Sequence, residues 1–174
     1  HGRTGIWTDR VAWLVAAFMG LQSATFYMLV TWLAAISMST GRSEVVAGID
    51  VMVYQLFSIA GSLLLPFVYR GRIKRAVPAL IPIIGLIGGL GLMLAPAGVP
   101  FWGATLGLFG GASLAMAMTL VAQRARDHDA SSALSGMSQS VGYLVAAFGP
   151  VVFGGLHSLT GGWTAPLALL LAAI

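Results

Sequence analysis

The sequence predicts an all-α, polytopic membrane protein built as a six-helix bundle, and three observations predict it. Of the 174 residues 58% are hydrophobic and only 8% are charged, with a mean hydropathy of +0.92, whereas a soluble domain carries about a quarter charged residues. The apolar residues are gathered into runs, most of them the roughly 17–25 residues long that a spanning helix needs. The few charges also alternate from one connection to the next. High hydrophobicity with low charge is the reverse of a disordered composition. Nine Lys and Arg scattered over short loops do not make a nucleic-acid surface. With no cysteine there is no disulfide framework, no thiolate metal site and no cysteine nucleophile.

Six apolar segments follow in order, near Val11–Ile36, Val51–Tyr69, Val77–Leu94, Phe101–Val121, Ala133–Leu156 and Thr164–Ile174. The first is too long for a signal peptide and lacks a small-residue cleavage site after it. The sixth stops in mid-run at Leu169-Leu170-Leu171-Ala172-Ala173-Ile174, where the carbonyls of a helix end would lack partners. Residue 1 is histidine rather than methionine. The chain therefore reads as a fragment of a longer protein, with residues 1–174 forming one unit without linker, low-complexity segment or internal repeat. Eight of the nine Lys and Arg fall on one side: Arg3 and Arg10 before the first span, Arg70, Arg72, Lys74 and Arg75 after the second, and Arg124 and Arg126 after the fourth. The opposite connections hold Arg42, accompanied by Glu44 and Asp50. Positive-inside bias then places the N-terminal end in the cytoplasm and makes Arg70, Arg72, Lys74 and Arg75 a cytoplasmic basic loop. That loop also suits an anionic lipid surface.

Charged residues are expected to be absent from the spans, so function is sought among uncharged polar groups. The third span interrupts aliphatic sequence only with Pro78, Pro82, Gly85, Gly88, Gly89 and Gly91, and is expected to meet lipid on one side and pack through glycines on the other. The sixth is equally bare. On the first, Gly20, Ser23, Tyr27 and Thr31 lie within about 80° of one another, with Gln22 further round. Tyr54, Gln55, Ser58 and Ser62 share a face of the second. Trp102, Thr105, Phe109, Ser113 and Met116 make a looser stripe on the fourth. On the fifth, Ser132, Ser135, Gln139, Tyr143, Ala146, Pro150, Phe153 and His157 fall within about 40° of Gln139. Such a face suggests water or a polar partner.

Several of these residues have plainer roles. Thr105 and Thr119 are expected to bond their own helix carbonyls, and Met116 and Met118 to pack. Tyr54, Trp102, Trp7 and Trp163 suit interfacial anchoring. Gln22, Gln55, Gln139 and Tyr143 need partners in hydrocarbon, which either a shared polar interior or interhelical bonding supplies. Helices 1, 2, 4 and 5 are thus polar-faced and helices 3 and 6 bare, the pattern of a half-transporter whose four polar helices line a cavity.

Two stretches carry a family resemblance. Gly20-Leu21-Gln22-Ser23-Ala24-Thr25-Phe26-Tyr27 with Trp32-Leu33 resembles the seventh helix of the cyanate/2-nitroimidazole-type transporters of the major facilitator superfamily. Leu134–Leu144, Phe148-Gly149-Pro150, Gly154-Gly155-Leu156-His157 and Thr160-Gly161-Gly162-Trp163 resemble its eleventh helix and the loop after it. The resemblance covers essentially the whole chain and implies the C-terminal six-helix half of a twelve-helix protein, its last helix truncated. It implies a missing N-terminal half as partner, a bacterial cytoplasmic membrane, no cofactor, and secondary transport of a small organic solute or anion by alternating access. Two departures stand out. The basic loop Tyr69-Arg70-Gly71-Arg72 lacks the acid that usually precedes it in the superfamily, and Ser158 follows His157 where an acidic residue is expected.

Under this reading Ser23, Tyr27, Ser58, Ser113 and Tyr143 lie nearest the middle of their spans, Gln139 lies about one turn toward the cytoplasm, and Gln22 and Gln55 complete the expected solute pathway. Gly149, Pro150 and Gly154 break and thin the fifth helix, giving either a gating bend or a static kink. An intramembrane hydrolase is not expected, because Ser135 and His157 share one helix about 33 Å apart and no Gly-x-Ser-x-Gly or His-Glu-x-x-His motif occurs. Arg126-Asp127-His128-Asp129 reads as a helix start capped near Asp129 rather than a metal site. A stand-alone six-helix subunit or scaffold without transport activity is the remaining alternative.

Overall fold

The computed structural model describes residues 10–124 and 128–174. The expectations placed on Arg3, Trp7, Arg126 and Asp127 lie outside the described residues, as do those on the side chains of Arg124, His128, Asp129 and Ser132. Among the described residues there are six α-helices: α1 (Arg10–Ser39), α2 (Glu44–Val68), α3 (Val77–Leu94), α4 (Val99–Arg124), α5 (His128–Thr160) and α6 (Thr164–Ala173). Five are long and apolar enough to cross a membrane. The protein is a multi-pass, all-helical membrane protein.

The connections are short and chemically determined. Gly41, Gly71 and Gly161 take positive φ angles of 90°, 62° and 72°, a region that costs glycine nothing, and each lies just beyond a helix end. Ser43 caps α2 by accepting from the Val46 amide at 3.3 Å. This cap starts α2 at Glu44, seven residues before the apolar run begins at Val51. The difference matters, because it carries Asp50 into the helix, where its side chain is 1% exposed. Asp50 thus lies on the same helix as the charge-free run Val51–Tyr69, one position before it. The reason is that an N-cap serine, and not hydropathy, sets where this helix begins.

The six helices assemble as two close pairs with two supports. α1 packs chiefly on α5, and α2 chiefly on α4, while α1 also touches α2 and α4. α3 lies against α4 and α6, and α6 fills in beside α5, α3 and α1. Both pairs are mated through glycine. A Cβ on Gly107 or Gly111 of α4 would fall on the carbonyl oxygens of Tyr54 and Ser58 of α2, and one on Gly61 would stand 2.5 Å from the Leu108 oxygen. In the other pair, a Cβ added at Gly142 would stand 3.1–3.6 Å from Met19 and Gly20, and one at Gly149 would stand 3.2–3.3 Å from Ala24 and Met28. Small residues let backbones approach where lipid supplies no hydrophobic drive. α3 behaves as its sequence predicts. Gly85, Gly88 and Gly89 receive Phe109, Leu106 and Leu171, while Leu80, Ile83, Ile87, Leu90 and Leu94 face outward.

Candidate functional site

Thr105 and Thr119 donate to the carbonyls of Phe101 and Ala115 at 3.0 and 2.8 Å, the local bonding expected of them. Three aromatic residues suited to interfacial anchoring also make contacts within the bundle. Tyr54 is completely buried between α1, α2 and α4, close to Phe26 and Gly110. Trp102 folds over Gly91 and donates to the Ala95 carbonyl at 2.9 Å, tying α4 to the end of α3. Trp163 is half-buried in an aromatic group with Trp32, Phe153 and His157, its ring stacked on the imidazole at 3.7 Å.

The solute-pathway residues divide into two sets. Gln22, Ser23, Ser58 and Ser113 are buried inside the unit. Gln22 donates to Ser23 at 2.9 Å and to the Met19 sulfur at 3.3 Å, so it is satisfied within its own helix. Ser58 and Ser113 sit on α2 and α4, where Ser62 bridges the pair by donating to the Gly111 carbonyl at 3.1 Å. Gln55 is half-buried on α2. Gln139 donates to Ser135, one turn away on the same helix, at 2.9 Å.

Tyr27 and Tyr143 form the second set, 41% and 58% exposed. They bracket an open groove of about 270 Å³ between α1 and α5, floored by Ala146, Ala147 and Pro150. A roomier cleft of about 480 Å³ lies between α1, α3, α4 and the end of α6. Its lining side chains run from Val11, Phe18 and Pro82 to Met116 and Ile174, all apolar. The groove differs from this cleft in bringing two phenol-bearing residues beside an apolar floor. The polar stripe of α5 is accordingly split. Ala146 and Phe153 turn inward against α1, and Tyr143 turns out.

Around Pro150, Gly154 makes room for the Trp32 ring, and the indole nitrogen donates to the Pro150 carbonyl at 3.0 Å. Gly149, Pro150 and Gly154 thus form the seat where α1 grips α5. Arg70, Arg72, Lys74 and Arg75 lie exposed on a 3-10 turn, Gly71–Arg75. Arg70 stands over the Phe67 ring and Lys74 over Tyr69, at 5.3 and 4.9 Å.

One group escaped the sequence reading. Asp50 accepts two hydrogen bonds from Arg42, Nε to Oδ2 at 2.8 Å and Nη2 to Oδ1 at 3.0 Å, and a third from the Ser37 hydroxyl. The Ser43 cap in front of Glu44 was the signal that could have found it.

Comparison with known proteins places this geometry. No family model matches the sequence. The chain is 38% identical over 164 residues to the 2-nitroimidazole transporter of Escherichia coli (strain K12), covering 94% of this chain and 42% of that protein. It is 38% identical over 175 residues to the uncharacterized transporter YycB of Bacillus subtilis (strain 168), covering 98% and 43%. It is 28% identical over 163 residues to the cyanate transport protein CynX of Escherichia coli (strain K12), covering 91% and 41%. The chain spans about two fifths of the length of these curated relatives.

Proposed function

We propose, from the premise that this chain is a relative of the 2-nitroimidazole and cyanate transporters over nearly its whole length, that it is the C-terminal six-helix half of a secondary transporter. In this reading the whole protein belongs to the major facilitator superfamily and moves a small organic solute or anion across the bacterial cytoplasmic membrane. The observation that carries the reading is the groove bracketed by Tyr27 and Tyr143, on helices whose relatives are named transporters. Two phenols over an alanine and proline floor suit a small flat solute with little charge. An anion's countercharge is then supplied by the other half or by helix ends.

The two halves work by alternating access, rocking about a site near the middle of the membrane. The groove is this half's share of that site, and the seam of Gly149, Pro150 and Gly154 against α1 takes up the movement. The N-terminal end and the basic turn at Arg70, Arg72, Lys74 and Arg75 lie in the cytoplasm.

The test is uptake of 2-nitroimidazole and cyanate by the full-length protein in liposomes. Replacing Tyr143 by Leu is expected to lower transport about tenfold or more while membrane insertion is kept. Gln139→Leu, one turn below the groove, is expected to have a smaller effect. Unchanged kinetics in both variants would remove α5 from the solute pathway.

A further inference from the structure

Asp50 is a carboxylate buried within a membrane helix, and such groups are costly and need a named partner. Its partners come from two places outside its own helix: Ser37 in the last turn of α1 and Arg42 in the connection. The guanidinium is 29% exposed and the carboxylate 1%, so the arginine reaches inward from the surface to an acid held inside. The Asp50 carbonyl lies beside Gly103, near the start of α4. The cluster therefore sits where the ends of α1, α2 and α4 converge, at the end of the bundle opposite the basic turn.

Its position within the packing gives it a task. α1 with α5 and α2 with α4 are each mated backbone to backbone through glycine, whereas α1 and α2 meet through side chains. The pair that lines the groove carries Tyr27 and Tyr143. Movement of α1 there reaches the α2–α4 pair through its contacts with α2 and with α4 and through the short connection between Ser39 and Glu44. A two-pronged arginine–carboxylate bond fixes both distance and orientation, and Ser37 adds a tie directly from helix to helix.

We infer that Ser37, Arg42 and Asp50 form a clamp joining the two helix pairs, so that displacement of α1 at the groove carries α2 and α4 with it. Arg42 and Asp50 are positioning residues for transport: Ser37 and Asp50 face the interior, away from the solute. This inference rests on the transport reading, but the tie itself has a readout that does not.

These 174 residues contain no cysteine, so Met38→Cys and Val45→Cys, both at exposed positions, carry spin labels at unique sites in a full-length protein whose remaining part has any cysteines replaced by serine. A single narrow distance between α1 and α2 is expected with the clamp intact. Arg42→Gln with Asp50→Asn removes both charges together, leaves no unpaired ion, and is expected to broaden that distance. In liposomes the same pair of changes is expected to lower Vmax for 2-nitroimidazole about tenfold, with KM unchanged. An unchanged distance distribution, or an unchanged Vmax, would overturn the proposal. Should the double variant not be recovered folded, Arg42→Lys decides, since it keeps the charge and loses the fork. Broadening there supports the clamp, and a wild-type distribution ends it. If the unaltered protein moves neither 2-nitroimidazole nor cyanate, the transport reading falls, while the distance measurement still judges the tie.

Discussion

Tyr54 brings a phenol into the most enclosed place in the bundle, and neither its hydroxyl nor that of Ser113 has a hydrogen-bond partner among the described residues. An unmet buried hydroxyl carries its desolvation cost uncompensated, while the ring beneath it packs against Phe26 at 5.9 Å between centroids. Tyr54→Phe keeps the ring and removes the cost. It is expected to stabilise the protein by about 1 kcal/mol, read as a higher melting temperature in detergent. A lower one would mean the hydroxyl has a partner in the membrane-embedded protein. The same reasoning shows what a stripe of polar residues can and cannot say. Gln22 and Gln139 satisfy themselves within their own helices, a solution that spacing along a helix does not reveal. Tyr27 and Tyr143 belong to different helices 116 residues apart, and only packing brings them to one groove.

Helices in this bundle are held by what they lack. The α2–α4 seam needs Gly107 and Gly111, because a methyl group at either would occupy the space of a backbone carbonyl. Backbone cannot yield as a side chain does, so Gly111→Ala is expected to cost about 1–3 kcal/mol and to separate α2 from α4. Gly155→Ala is the control. Nothing lies within 4 Å of its added Cβ, and alanine is the better helix former, so stability is expected to hold or rise. Comparing thermal stability of the two variants checks the seam. Element limits were readable to different degrees for physical reasons. α3 runs over Val77–Leu94 as its hydropathy predicts, because Pro78 and the end of the aliphatic run mark both ends. α2 begins earlier than its hydropathy predicts because Ser43 caps it through a hydrogen bond, to which a count of apolar residues is blind.

At the scale of the whole molecule, the charge distribution gives an expected orientation. Glu44 and Ala76 are exposed beside the connections at opposite ends of α2, and these 174 residues add no cysteine of their own to a single replacement. In intact cells Glu44→Cys is expected to react with a membrane-impermeant maleimide, and Ala76→Cys only after permeabilisation; the reverse pattern would invert the topology. The all-helical membrane fold, the bare outer α3 and the expected orientation rest on composition and order along the chain, which the sequence holds complete. The family resemblance does too, since it lies in contiguous stretches such as Leu134–Leu144. The pairing of α1 with α5 and α2 with α4, the inward placement of Asp50 and the groove between Tyr27 and Tyr143 are different in kind. Each depends on which face of one helix meets which face of another, and hydropathy is silent on that. Close approach at the glycine seams and the search of a buried carboxylate for its arginine settle it only when the helices come together.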